Sequence, residues 1–92
     1  MKSESVIESA VCKYAKEKGF YVRKFKAPGN RGVPDRIFLS PHGQWFTVEF
    51  KAPGKSTTAL QDREIDLIRK NGGHCHVVNS VKYGETVIES YN

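Results

Sequence analysis

Asp35, Glu49 and Lys51 are the side chains of this 92-residue sequence whose types and spacing best suit chemistry. Residues 45–52 (WFTVEFKA) read as a strand. Its two-residue period puts Phe46, Val48 and Phe50 on one face and Trp45, Thr47, Glu49 and Lys51 on the other. A carboxylate and an ammonium therefore stand side by side on an otherwise apolar strand. Alone, that fits a solvated sheet face with an ion pair as well as it fits a site. Asp35 opens the preceding strand, and the four-residue turn Pro41-His42-Gly43-Gln44 makes the two strands antiparallel. Such pairing brings Asp35 close to Glu49 and Lys51. Two neighbouring carboxylates repel and raise one pKa unless a cation lies between them, and a divalent ion with hard oxygen ligands suits that position. The plainer reading of Asp35 is a turn residue after Pro34.

Other polar residues converge on the same region. Glu8 lies at the edge of the apolar stripe of a first helix, placed to reach over a sheet, and Glu4 stands one turn earlier. Either also suits a helix first turn, where the dipole favours acids. Gln61 falls within an inward arc formed by Leu60, Ile65, Leu67 and Ile68 on a second helix. A buried amide there must find a partner, whether water, carboxylate or phosphate; a solvent-exposed helix edge is the alternative. Arg23, Lys24 and Lys26 precede the loop, Arg31 and Arg36 bracket it, and Lys51 and Lys55 follow the third strand. Seven of the 15 Lys and Arg residues thus flank one region, a distribution suited to phosphate contact. His42, His74 and His76 are too dispersed for a metal triad.

The elements that must position these groups follow from periodicity and punctuation. Residues 3–18 read as a helix capped by Ser3 or Ser5, burying Ile7, Ala10, Val11 and Tyr14, and ended by Gly19. Strands follow over 20–26, 36–40 and 45–52. Ser56, Thr57 or Thr58 caps a second helix ending near residues 71–73, and a fourth strand covers 74–79. Ser80 caps a short last helix, against which Gly84 counts. The order α-β-β-β-α-β, with that short final helix, predicts an α/β domain with a mixed sheet.

Composition narrows the class. Fifteen basic against ten acidic residues give a formal charge of +5, a modest lean toward a polyanionic partner. No apolar run approaches the roughly 20 residues that cross a bilayer, and the N-terminus lacks a secretory signal. Cys12 and Cys75 make no disulfide framework and match no zinc spacing, so buried thiols in a reducing cytoplasm are expected. At 92 residues the core is thin, and association with a second copy or a partner would add burial.

Gly32-Val33-Pro34-Asp35-Arg36 followed by Val48-Glu49-Phe50-Lys51 resembles the PD-(D/E)xK nuclease signature, with the two acids 14 residues apart. The pattern is most similar to the VRR-NUC domain family. That family has a helix with a glutamate, a basic strand, the glycine-valine-proline-aspartate-arginine loop and a glutamate-x-lysine strand. A proline-glycine loop and a serine/threonine-x-x-glutamine helix start come next, matched by Ala52-Pro53-Gly54-Lys55 and Thr58-Ala59-Leu60-Gln61. The resemblance runs from Glu4 to Asn79. Acid-x-lysine alone is unspecific; the ordered combination is specific. Archaeal Holliday-junction resolvases share the fold and carry a helix-one glutamate some three turns before glycine-phenylalanine, the relation of Glu8 to Gly19-Phe20.

The resemblance implies a restriction-endonuclease-like core and one nuclease domain over residues 1–92. It implies an Mg2+-dependent DNA endonuclease, with Mn2+ able to substitute, leaving 5′-phosphate and 3′-hydroxyl ends. By the same resemblance Asp35, Glu49 and the Phe50 carbonyl hold the ion, and Glu8 holds its water or recruits a second ion. Lys51 orients water or stabilises phosphoryl charge, while Gln61 orients the water or the phosphate. Arg23, Lys24, Lys26, Arg31, Arg36 and Lys55 would contact nucleic acid. Relatives are fused to repair nucleases and helicases, or stand alone as phage-associated proteins that are dimeric and favour branched DNA. A phage origin would place the protein in the host cytoplasm. The competing expectations are a non-catalytic DNA-structure-binding module on the same fold and a nuclease acting on RNA or single-stranded DNA.

Overall fold

In the computed structural model, which describes residues 2–92, the chain runs α1 (Glu4–Glu17), β1 (Tyr21–Lys24), β2 (Arg36–Leu39), β3 (Trp45–Phe50), α2 (Ala59–Lys70), β4 (Cys75–Val78) and α3 (Val81–Ser90). The α/β order and the mixed sheet are those the periodicity predicts, matching the restriction-endonuclease-like core. Strands lie in the order β1-β2-β3-β4, antiparallel through the first two pairings and parallel between β3 and β4. The α2 crossover makes that parallel pairing sterically accessible. Each strand is shorter than its alternating run in sequence, because ladder bonding stops before the alternation does.

Ser40 fixes the hairpin on which the register depends. Its buried hydroxyl accepts from the backbone N–H of His42 and Gln44, at 3.2 and 3.0 Å. Arg36 then faces Val48 and Phe38 faces Phe46, so Asp35 comes into line with the acidic end of β3.

Val22, Phe38, Phe46, Val48, Phe50 and Val78 form one sheet face and pack beneath α1 and α3. The α1 stripe is Ile7, Val11, Cys12 and Ala15, capped by Ser3; Ala10 and Tyr14, expected in it, are only half-buried. Tyr91 closes the core from the chain end, stacked on Phe46 with ring centroids 3.9 Å apart. Its hydroxyl lies 2.6 Å from His76 Nε2, which gives the His76 imidazole a structural role. Gly84 lies inside α3 for a packing reason: a Cβ there would come 2.3 Å from Val11 Cγ2. Both cysteines are free and buried.

α2 lies against the other face, near β4. Apolar character alone puts Leu60 and Leu67 inward, and this is incorrect. They are 51% and 44% exposed, and Ile65 is the buried residue of the helix. The inward line is Gln61-Ile65-Ile68, at i, i+4 and i+7; Leu60 and Leu67 lie about 100° round from it. No described helix is long and apolar enough to cross a membrane.

Candidate active site

Glu49 is charge-bearing and almost wholly buried, at 1% exposure, which excludes the solvated-face reading of β3. Its Oε2 accepts from Gln61 Nε2 at 2.9 Å and lies 3.7 Å from Lys51 Nζ. Its Oε1 is buried with no hydrogen-bond partner among the described residues. Burial, and then the nearby Asp35 charge, push the Glu49 carboxyl up to about 7 from its usual 4.5, against the opposing pull of Lys51.

Asp35 is placed by backbone on both sides. Its carbonyl accepts from Phe25 N at 3.0 Å, and its Oδ2 accepts from Phe50 N at 2.8 Å, tying the loop end across to the end of β3. Gly32 lets the loop lie against the start of α2. Its φ is +98°, and a Cβ there would stand 2.7 Å from the Leu60 carbonyl oxygen. Burial raises the Asp35 pKa; the Phe50 N–H opposes this, and the charges of Glu8 and Glu4 add to it.

Gln61 is oriented by the cap of its own helix. Thr58 Oγ1 accepts from Gln61 N, and Gln61 Oε1 accepts from Thr58 N at 2.9 Å, forming a reciprocal capping box. The remaining amide nitrogen is thereby aimed at Glu49. The Thr-x-x-Gln spacing signals that box in sequence, although the consequence for Glu49 depends on the fold.

Glu8 faces the same cleft but is engaged: its Oε2 accepts from Arg36 Nε at 2.7 Å. Lys24 and Lys26 line the cleft with Glu8 and Asp35. Of the other predicted phosphate contacts, Arg31 lies apart, in a groove with Leu60, Arg63 and Leu67. The Arg23 guanidinium sits 4.3 Å over the Tyr21 ring and donates to the Val22 carbonyl. Lys55 is exposed in the loop before α2.

Among the described residues, no group of three or more His, Cys, Asp or Glu side chains converges to cage a metal. What converges is a pair of carboxylates, both with raised pKa, one offering a buried unpartnered oxygen. That donor set fits a hard divalent ion such as Mg2+, which keeps several waters and does not need an all-protein cage.

No family model matches the chain. The fold is that of a solved structure described as a VRR_NUC domain, with a TM-score of 0.89, 29% identity and 100% of both chains covered. A second solved structure, described as a VRR_NUC domain protein, aligns with a TM-score of 0.81 over 98% of this chain and 88% of that one, at 21% identity. In sequence, the chain is 43% identical over 61 residues to "Putative nuclease p44" of Acyrthosiphon pisum secondary endosymbiont phage 1. That match spans 66% of this chain and 66% of the relative.

Proposed function

This chain belongs to the VRR-NUC domain family, related to the PD-(D/E)xK nucleases, and we propose that it is a metal-dependent endonuclease that hydrolyses DNA phosphodiester bonds in branched or junction DNA. The observation that carries the reading is the buried Glu49 Oε1 left without a partner beside Asp35, while Lys51 Nζ stands 3.7 Å from the other oxygen, Oε2. A carboxylate desolvated in this way costs free energy unless a cation or proton compensates it.

Asp35, Glu49 and the Phe50 carbonyl would hold Mg2+, or Mn2+ in its place, and such an ion supplies Lewis-acid polarisation of a phosphate oxygen and a lowered pKa for water. Lys51 supplies a fixed positive charge at the phosphoryl group as negative charge develops on its oxygens. Gln61 has both ends of its amide engaged, so its part is to aim Glu49 rather than to contact the attacking water. Glu8 borders the cleft on the α1 side while holding Arg36 against it. Lys24 and Lys26 meet the flanking phosphates, and the whole of residues 1–92 acts as one nuclease domain.

The working unit in this reading is a homodimer. Tyr21 and Trp45 on the α2 face of the sheet, with Leu60 and Leu67 on α2, expose apolar area that a second copy would cover. Two copies related by a two-fold axis present two cleavage sites at a fixed spacing, as paired cuts across a junction require.

The test is a Mg2+/Mn2+ cleavage panel of four-way junction, flap, duplex and single-stranded DNA, with RNA included. Junction or flap cleavage is expected, lost in Asp35→Ala, Glu49→Ala and Lys51→Ala while DNA binding persists. Binding without cleavage of any form would establish the non-catalytic DNA-structure module instead, and cleavage confined to RNA would reassign the substrate.

A further inference from the structure

A second depression lies beside α1, outside the carboxylate cleft. It is a groove of about 620 Å³ walled by Ser5, Ser9, Lys13 and Lys16, with Arg36 and Glu8 at its floor. Glu8 also lines the cleft that contains Asp35, Lys24 and Lys26, so the two depressions share a wall. Cations line both stretches. Lys13, Lys16, Lys24 and Lys26 are all exposed, and none joins an ion pair among the described residues, whereas Arg36 is neutralised by Glu8. Glu17 is the one further acid in the wall.

We infer that this groove is a phosphate track, in which Lys13 and Lys16 hold the backbone of the DNA strand after it leaves the cleft lined by Asp35. The inference rests on the nuclease reading given above and adds the path of the substrate. The helix dipole accounts for a lysine in the last turn of α1 but not for Lys13 one turn back on the same wall. From Glu8 to Lys16 the helix rises about 12 Å, the axial span of three to four nucleotides of a duplex strand. Serine hydroxyls at Ser5 and Ser9 line the same groove and supply hydrogen-bond donors beside the lysines, and together such groups fix register on a strand without reading its sequence.

The experiment is fluorescence anisotropy with a labelled duplex and a labelled four-way junction. Ca2+ serves as the divalent ion, and affinity is followed across a salt series. Lys13→Glu/Lys16→Glu is expected to weaken both complexes tenfold or more. It should also flatten the slope of log affinity against log salt by about 1.4 to 1.8, the loss of two phosphate contacts. Lys70→Glu/Lys82→Glu, two charge reversals on α2 and α3 away from the groove, matches the change in net charge and should leave the slope unchanged. Circular dichroism verifies that each variant is folded. Wild type that binds DNA, with the double variant equal to it in affinity and slope, overturns the track and leaves the nuclease reading standing. A wild-type protein without DNA affinity overturns both.

Discussion

At Glu49, burial and chemistry make opposite demands, and the conflict is measurable. A carboxyl raised to about 7 in the folded chain binds a proton there that it releases in the unfolded chain at the same pH. Its contribution to stability is therefore full below the usual 4.5 and is lost as pH rises toward 7. Asp35, raised in the same direction, adds to the slope. Metal-free protein should be less stable at pH 8 than at pH 5, with Glu49 alone contributing on the order of 3 kcal/mol. Thermal melts at the two pH values check this. Glu49→Gln keeps the shape and removes the charge, so its melting temperature should vary far less with pH while cleavage is lost. Mg2+ added at pH 8 should stabilise wild type and not the variant, because only the carboxylate compensates the ion. A wild-type melt that is flat from pH 5 to 8 would show that Glu49 is better solvated than its burial implies.

At the level of elements, two contacts between distant parts of the chain position the site, and each has its own test. The Thr58–Gln61 box both starts α2 and points the Gln61 amide at Glu49. Thr58→Ala should cost about 1 kcal/mol in denaturant unfolding, and should lower kcat more than that loss explains, because the aim of Glu49 is relaxed. Gly84→Ala drives a methyl group into Val11 and should cost about 1 to 3 kcal/mol by the same measurement, with α3 pushed off α1. These contacts also mark where the sequence stops being readable. The order α-β-β-β-α-β is written locally: the alternation through 45–50, the 41–44 turn and the Ser3, Thr58 and Ser80 caps each act within a few residues. Asp35, Glu49 and Lys51 were legible for the same reason, since one tight turn fixes their relative register. The outward turn of Leu60 and Leu67 was not, because apolar content reports that a side chain prefers burial, while the Gln61 tether decides which side of α2 is buried. Nor was the need for glycine at position 84, which arises only when Val11 is brought against it. The Glu8–Arg36 pair is likewise a product of α1 packing over the sheet.

For the whole molecule, the decisive quantity is how much apolar area a small chain leaves uncovered. The protein presents 5744 Å² of accessible surface, and an interface of ordinary size would take about 800 Å² of it per copy, roughly a seventh. Trp45 at 50% exposure and Tyr21 at 45% meet edge to face on the same side of the sheet, with ring centroids 6.1 Å apart. On α2, Leu60 and Leu67 stand one above the other at i and i+7. Aromatic anchors of this kind carry much of the binding energy at the centre of an interface. A dimer formed through them would make melting temperature rise with protein concentration, because only the folded chain associates. Sedimentation velocity at micromolar concentration should show wild type as a dimer and Trp45→Glu as a folded monomer. The variant's melting temperature should no longer depend on concentration. Since Trp45 opens β3 and Glu49 lies four residues further along it, the monomeric variant keeps its carboxylates and should still nick single strands of a junction. Paired cuts should fall sharply. A wild-type protein that sediments as a monomer, or a Trp45→Glu variant that remains a dimer, would remove this face from the assembly.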